Sequence, residues 1–258
     1  MLTRPTILCA TFLLATSATV ALTTSCAQPL LNCTSAHGYF AAEYTLESGD
    51  PDSACGQLPG DVLGMQTYFQ EGGQNGTPDY QNAKLAIRPE SLGVLIDNAE
   101  ARGGIAPEDS DEVFYQGNAI GFFTTGFPDD DTFCMVDEFE EDAAVSLPEL
   151  PEVLDDPETE DEDESLPAEP ATEVRYSWSN ARFVVSADAQ GTQFEADLEY
   201  SRDGCTASYH VVGVYPAVGC ETNDDCNDDK NGINPDFSVR CNTDLGMCVL
   251  DDELPAYE

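Results

Sequence analysis

The sequence predicts a mostly β protein, an antiparallel sandwich or an incomplete barrel with one short helix, followed by a small disulfide-rich tail. The first indication is that Phe194, Ala196, Leu198 and Tyr200 alternate with acidic residues. This period of two places the four apolar side chains on one face of a half-buried strand. The second is that helical periodicity is evident only near residues 90–102. The third is that four of the ten cysteines lie close together near the C-terminal end.

Composition divides the sequence into five predicted segments. An apolar start, the lack of Lys or Arg between Arg102 and Arg175, and the clustered cysteines mark the changes. The segments are 1–25, a lipoprotein signal peptide; 26–135, the N-terminal part of a β domain with one helix; 136–173, an acidic, proline-rich disordered loop; 174–218, an antiparallel meander that completes the domain; and 219–258, a cysteine-rich tail.

The charge balance excludes one class of function. The chain has 9 Lys and Arg residues against 50 Asp and Glu residues, a net charge of −41. Nucleic-acid affinity depends largely on Lys and Arg side chains that displace counterions from phosphates. A DNA- or RNA-binding role is therefore excluded.

The first residues have the pattern of an export signal. Arg4 precedes an apolar run over residues 7–15, which is interrupted by Thr and Ser further along. Crossing a bilayer takes roughly 20 apolar residues, so the segment fits a cleaved signal better than a membrane anchor.

The end of this signal, Leu22 to Ala27, resembles a bacterial lipobox. The resemblance implies cleavage before Cys26 and lipidation of its sulfur and new amino group, which would anchor the protein in a membrane. Thr23 departs from the pattern, because Leu is usual three places before the cysteine. Ala27, where Asp would retain a protein in the inner membrane, implies the outer membrane or cell surface. The alternative is ordinary cleavage after Ala21 or Ala27, giving a secreted or periplasmic soluble protein.

The cysteine count favours an oxidising compartment. Cys9 lies within the signal, and lipidation of Cys26 would leave an even number for disulfides. No C-x-x-C pair is present, so disulfides are favoured over thiolate zinc ligation. The turn-rich stretch around Cys55 predicts a bridge between Cys33 and Cys55. The disulfide candidates are Cys33, Cys55, Cys134, Cys205, Cys220, Cys226, Cys241 and Cys248.

The segments before residue 135 predict two strands and the helix. Residues 37–46 and 61–69 read as strands that are separated by a stretch rich in Gly, Asp and Pro. After Pro89, apolar residues recur at helical spacing until Gly103 and Gly104, which predict the helix end. The apolar face consists of Leu92, Leu95, Ile96 and Ala99.

Like charges and repeated Pro predict the acidic loop, and the alternation of apolar and polar residues predicts the meander. Repeated Pro and like charges in residues 136–173 favour extended, solvated backbone. This loop is interpreted as a surface for cations or a basic envelope partner, or as a solubilising spacer. Residues 174–185, 194–200 and 207–215 then predict three consecutive strands, with Asp203 and Gly204 as a hairpin turn.

The tail is similar to the small cysteine-rich module of myxobacterial envelope lipoproteins. The resemblance depends on the cysteine spacing, Asp225 before Cys226, and Gly246 near Cys248. By analogy it implies that Cys220 pairs with Cys241 and Cys226 with Cys248. The start of the body, Cys33 to Gly38, also resembles uncharacterised lipoproteins of that group, and it implies no activity.

One candidate cation site lies in the tail. The side-chain oxygens of Asn227, Asp229 and Asn231 occupy the first, third and fifth positions of an EF-hand-type loop, which would bind calcium. Ser238 stands where such loops have a bidentate Glu, and Lys230 adds a repelling charge. The alternative is a solvated turn between two disulfides. No other cofactor is predicted.

No catalytic residue is assigned. His37 and His210 are the only side chains whose ordinary pKa lies near neutrality, and neither lies in a recognised catalytic motif. The sequence therefore favours an exported, acidic envelope protein with a binding or structural role over an enzyme. The alternatives are a calcium-dependent adhesion or envelope protein and a hydrolase that uses carboxylates. The sequence leaves the ligand and the oligomeric state open.

Overall fold

The computed structural model describes residues 30–72, 76–153 and 165–257. The predicted signal peptide and the predicted lipidation site, Cys26, lie outside these residues. The helices are α1 (Glu90–Ala101), α2 (Ser110–Gln116) and α3 (Asn223–Cys226), with a 3-10 turn at Ala54–Gly56. The strands are β1 (Gly38–Ser48), β2 (Gly60–Gly72), β3 (Thr77–Pro89), β4 (Ala119–Phe122), β5 (Phe133–Glu141), β6 (Ala143–Leu147), β7 (Thr172–Val185), β8 (Gln190–Arg202), β9 (Cys205–Val214), β10 (Val239–Asn242) and β11 (Met247–Leu250).

The main sheet closes on itself. Its strand order is β5-β4-β3-β2-β1-β9-β8-β7-β6, and β5 also pairs with β7. Since β5 bonds to both β4 and β7, eight strands form a closed antiparallel barrel, and β6 continues the line of β5 beside β7. The mostly β, antiparallel class is confirmed, and the ring closes fully where the sequence predicts a sandwich or an incomplete barrel.

The barrel interior is filled by the alternate residues of its strands, as expected for eight strands. The predicted inward set on β8, from Phe194 to Tyr200, is at most 3% exposed. The Phe194 ring lies 5.6 Å from that of Phe40 and 5.4 Å from that of Phe183. Gly213 lies directly opposite Phe194, and a Cβ at Gly213 would be 2.1 Å from the ring. The glycine therefore provides the space that the phenyl ring occupies.

The local predictions for the meander and for α1 are confirmed. The turn between β8 and β9 has positive φ at Asp203 and Gly204, as expected for a two-residue hairpin. Helix α1 buries Leu92, Ile96 and Ala99. The short helix α2 was not predicted, because none of its residues is buried and it has no apolar stripe to recognise.

The prediction of a disordered loop over residues 136–173 is wrong over its first third. Residues 133–141 and 143–147 form β5 and β6, and further bridges join Leu150 to Glu169 and Val153 to Leu166. The acidic side chains of these strands lie on the outer face, whereas Val136, Val145 and Leu147 point inward and are buried. The prediction of disorder was based on the acidic residues and missed this buried set. Residues 154–164, with the densest acidic run, lie outside the described residues.

The predicted bridge between Cys33 and Cys55 is wrong. Cys33 is bonded to Cys134, and Cys55 is bonded to Cys205. Each bridge joins segments that are far apart in sequence but adjacent in the barrel, and a local turn pattern does not reveal such contacts. The tail contains the pairs Cys220–Cys241 and Cys226–Cys248, as the resemblance implies.

The cysteine-rich tail packs on the outer wall of the barrel. Arg240 binds both carboxylate oxygens of Glu43 on β1, at 2.8 and 2.7 Å, and Asn242 donates to the same carboxylate. The side-chain amide of Gln193 on β8 exchanges two hydrogen bonds with the backbone of Ala256. Leu31–Glu258 is accordingly one compact unit. Among the described residues, no helix combines the length and the apolar character needed to cross a membrane.

Candidate ligand-binding recess

A second part of the outer wall carries exposed aromatic side chains. Tyr39 is 65% exposed, Tyr68 49% and Phe114 51%. Together with polar neighbours they surround a cavity of about 330 Å³, which we call the aromatic recess. Adjoining cavities of about 410 and 320 Å³ share Phe114 with it. The recess is lined by His37, Gly38, Tyr39, Gly64, Met65, Gln66, Tyr68, Ala86, Arg88, Phe114 and Asn118.

Strand register explains the shape of the recess. Gly64 on β2 lies between Tyr39 on β1 and Arg88 on β3, so these three residues form one row across the sheet. Gln66 and Ala86 face each other in the adjacent row. The small residues form the floor, and the long side chains of Tyr39 and Arg88 rise at either end of the first row. Alternation along each strand thus places this set on the outer face.

Helix α2 contributes the remaining wall. The guanidinium carbon of Arg88 lies 3.6 Å from the centroid of the Phe114 ring, a close cation–π contact. The side-chain nitrogen of Asn118 donates to the carbonyls of Phe114 and Tyr115, so the end of the helix is fixed over the sheet. A short helix without buried residues is thereby held in place by the recess side chains.

The electrostatics of the recess differ from those of the other basic sites. Five described arginines each lie within 4 Å of a carboxylate: Arg102, Arg175, Arg182, Arg202 and Arg240. Within the described residues, Arg88, Lys84 and Lys230 have no carboxylate this close, and Arg88 and Lys84 contact aromatic rings instead. Burial lowers the pKa of Arg88, and the charge of Asp97 opposes that shift. Among the described residues that line the recess, none carries a carboxylate, although the chain has 50 acidic residues.

The three adjoining cavities are not equivalent. Glu141 lines the larger neighbour together with Lys84, and Glu90 and Asp97 line the smaller one. The carboxylates therefore surround the aromatic recess without entering it. A ligand in the recess would contact aromatic faces, amide groups and one guanidinium.

A polar cluster inside the barrel contains an unusual carboxyl group. Asp61 accepts hydrogen bonds from the backbone and hydroxyl of Ser91 at the start of α1, and from the backbone of Val62. The hydroxyls of Ser91 and Tyr176 lie 2.8 Å apart. Burial raises the pKa of Asp61 to about 6, although these hydrogen bonds oppose the shift. Sequence reasoning did not single out Asp61, one of many acidic residues in the chain.

Replacing Asp61 with Asn is expected to change how stability depends on pH. An unfolded aspartate titrates near pH ~3.9, so between about pH 4 and 6 only the folded state retains the proton. The free energy of unfolding contributed by Asp61 therefore falls as the pH rises through this window, by about 2 kcal/mol. Asn cannot ionise, so the variant should gain by this amount relative to wild type between pH 4 and 7, measured by urea unfolding. Asp52→Asn, at an exposed turn, is the control; a difference that does not vary with pH would contradict the assignment.

The predicted cation ligands lie together in the tail. Asn227, Asp229 and Asn231 line one cavity of about 360 Å³. The side chain of Asn231 is engaged within the turn: its nitrogen donates to the Asp225 and Cys226 carbonyls, and its oxygen accepts from Ile233. Calcium binding at these residues stays a prediction.

The thiolate alternative is not supported in the tail. In the described part of the chain, one group with metal-ligand spacing is present, Cys220, Cys226 and Cys241. All three sulfurs belong to disulfides and therefore lack the thiolate that zinc requires.

The two histidines occupy different surroundings. His37 is exposed at the edge of the aromatic recess. His210 on β9 is partly exposed, with Nδ1 3.9 Å from a carboxylate oxygen of Asp197. Of the recess residues, only His37 was considered as a candidate functional residue from the sequence. The available signal was the outer-face set on β3, where Lys84, Ala86 and Arg88 alternate with the buried Leu85 and Ile87.

Comparison with known proteins identifies the barrel. The model of the MlpA family matches residues 38–216, which run from β1 through β9. The chain belongs to the MlpA family. The MlpA match covers the recess residues from Gly38 onward, leaves His37 just outside, and ends before the cysteine-rich tail.

A curated relative supports the same assignment. The chain is 34% identical over 98 residues to a Myxococcus xanthus protein named "Putative lipoprotein MlpA". The alignment covers 34% of this chain and 41% of the relative, so it spans less than half the length of that protein. No solved structure matches the chain. The resemblance to myxobacterial lipoproteins is confirmed.

Proposed function

We propose that this member of the MlpA family is a lipid-anchored envelope protein whose barrel binds a ligand in the aromatic recess. One observation carries the proposal: on a protein with a net charge of −41, none of the described residues that line the recess is acidic. Its guanidinium has no described carboxylate within 4 Å, although the charge of Asp97 acts on it from the adjoining cavity. If acidic residues had been distributed without constraint, some would be expected to line this recess. Their absence supports selection for contact with a molecule that carboxylates would repel.

The exposed rings support binding over a purely structural role. Large exposed apolar side chains cost solubility, and when they cluster they usually mark an interaction site. Small-molecule and polymer sites typically combine aromatic faces with a few polar groups that fix orientation. Tyr39, Tyr68 and Phe114 provide the faces, and Gln66 and Asn118 provide the polar groups.

The proposal includes anchoring through Cys26 at the outer membrane or cell surface. The lipobox resemblance and the lipoprotein name of the relative support it. We expect the intact, unreduced mass of protein extracted from its own membranes to begin at Cys26 and to include diacylglyceryl and acyl groups. Cys26→Ser should appear in the soluble fraction without lipid. A wild-type mass that begins at Leu22 or Gln28 without lipid would show secretion instead.

The recess itself is tested by removing its aromatic faces. Tyr39→Ala combined with Phe114→Ala should reduce the retention of soluble envelope material by immobilised full-length protein at least about tenfold, because central aromatic contacts typically contribute 2 kcal/mol or more. The measurement is the amount of saccharide and peptide retained, quantified after hydrolysis. Phe127→Ala is the matched control, because Phe127 is 42% exposed but does not line the recess.

Two results would decide whether the aromatic recess binds the retained material. Loss in the double variant with full retention by Phe127→Ala would support binding in the recess. Equal retention by wild type and the double variant would overturn it, provided that circular dichroism shows the same fold in both.

A further inference from the structure

We infer that the aromatic recess takes a saccharide that carries a carboxylate, as in a polymer of uronic acids. This inference rests on the proposed function and names the chemistry of its ligand. It depends on the floor and ends of the recess, on its hydrogen-bonding groups, and on the charge of Arg88.

The first row of the recess has the form of a stacking site. The ring of Tyr39 approaches Gly64, where an added Cβ would be 3.8 Å from the ring and 3.6 Å from the Arg88 carbonyl oxygen. The floor between Tyr39 and Arg88 is therefore bare backbone. A sugar ring has apolar faces formed by C–H bonds, which pack on such a floor and against a tyrosine ring.

Polar groups around this row suit hydroxyls. The side-chain nitrogen of Asn118 donates to two backbone carbonyls, which leaves its oxygen as an acceptor. Gln66 adds a donor and an acceptor, and Tyr39 and Tyr68 add hydroxyls. A sugar ring presents hydroxyls that both donate and accept along its edge, which matches this mixed set.

Arg88 supplies the selectivity for a carboxylate. A guanidinium forms two parallel hydrogen bonds with a carboxylate and stacks on an aromatic ring with its face. The Phe114 ring already occupies that stacking position, at 3.6 Å, so the guanidinium is held by its face. The five other described arginines lie against carboxylates of the protein, and the ligand provides the corresponding group for Arg88.

The overall charge favours a ligand that fits closely. A net charge of −41 repels any anion at long range, but at physiological salt charges beyond about 8 Å are largely screened. A cationic ligand would be attracted to the acidic surface generally and would have no reason to select the recess. An acidic peptide would satisfy Arg88 but would leave the bare floor and the exposed rings without a flat partner. An acidic saccharide satisfies all three features.

The test compares charged and neutral forms of the same sugar chain. Hexamers of galacturonate, glucuronate and mannuronate, and their methyl esters, are titrated calorimetrically into full-length protein in detergent at about 0.15 M salt. We expect at least one acid hexamer to bind about tenfold or more tightly than its ester, since a guanidinium bonds a carboxylate more strongly than it bonds a neutral ester. Arg88→Gln should remove this preference. Arg175→Gln, which removes the same charge from an exposed arginine, should retain it.

The outcomes separate this inference from the proposed function. Equal binding of acid and ester that is lost in Tyr39→Ala would overturn the carboxylate and leave the recess as a binding site. Binding of a glutamate peptide in an Arg88-dependent manner, without binding of any hexamer, would overturn the saccharide. Failure of every hexamer to bind, while Tyr39→Ala with Phe114→Ala still reduces retention of envelope material, would overturn the inference alone. Circular dichroism of each variant identifies any loss of fold.

Discussion

Replacing Cys33 and Cys134 together with alanine will lower the free energy of unfolding by about 5 kcal/mol. The two cysteines are 101 residues apart, so their bond restricts a long loop in the unfolded chain. The loss of this restriction increases the entropy of the unfolded state. Urea unfolding of the double variant, followed by circular dichroism, measures the change.

The tail provides a matched comparison. Cys220 and Cys241 are 21 residues apart, so replacing both should cost only about 3 kcal/mol on the same reasoning. A tail variant that loses as much stability as the barrel variant would show that loop entropy does not determine the contribution of these bonds.

Truncating Phe194 to alanine will destabilise the protein by about 4 kcal/mol. The side chain is fully buried, and its ring contacts those of Phe40 and Phe183 at the centre of the barrel. Removal loses the transfer free energy of the ring and leaves a cavity that a closed barrel cannot easily collapse. Thermal and urea unfolding measure the loss, and Phe127→Ala, at an exposed position, should change stability by less than about 0.5 kcal/mol.

A double-mutant cycle tests the specific packing of this ring on glycine. Gly213→Ala alone should destabilise by about 2 kcal/mol, because the new methyl group would overlap the Phe194 ring. In the Phe194→Ala background the methyl group would enter the cavity, and the penalty should disappear. Additive effects of the two substitutions would show that the ring and the glycine do not share that space.

The sequence contains most of the local structure of the barrel. The period-two pattern of β8 and the Asp203–Gly204 turn are determined by neighbouring residues, so they could be predicted. Ring closure could not, because the pairing of β5 with β7 joins segments on either side of an acidic stretch. The Cys33–Cys134 bond could not be predicted for the same reason, because it depends on the closed ring.

The candidate site was less predictable than the fold. Tyr39, Gly64 and Arg88 belong to three strands, and only their register places them in one row. Alternation shows that each side chain points outward, but not that the tail leaves this part of the wall open. The predicted cation ligands, by contrast, lie within five residues of one another, so their proximity follows from the sequence alone.

The covalent bond between Cys33 and Cys134 also determines how mechanical tension enters the domain. Cys33 precedes β1, whereas Cys134 lies in β5, which borders β4 and β7 rather than β1. Tension from the N-terminal side of Cys33 would reach β5 through the sulfur atoms before it could peel β1 from its neighbours. With the N-terminal anchor and the polymer ligand proposed above, the recess strands β1–β3 would bear a pull from the ligand without being the first strands that the anchor separates.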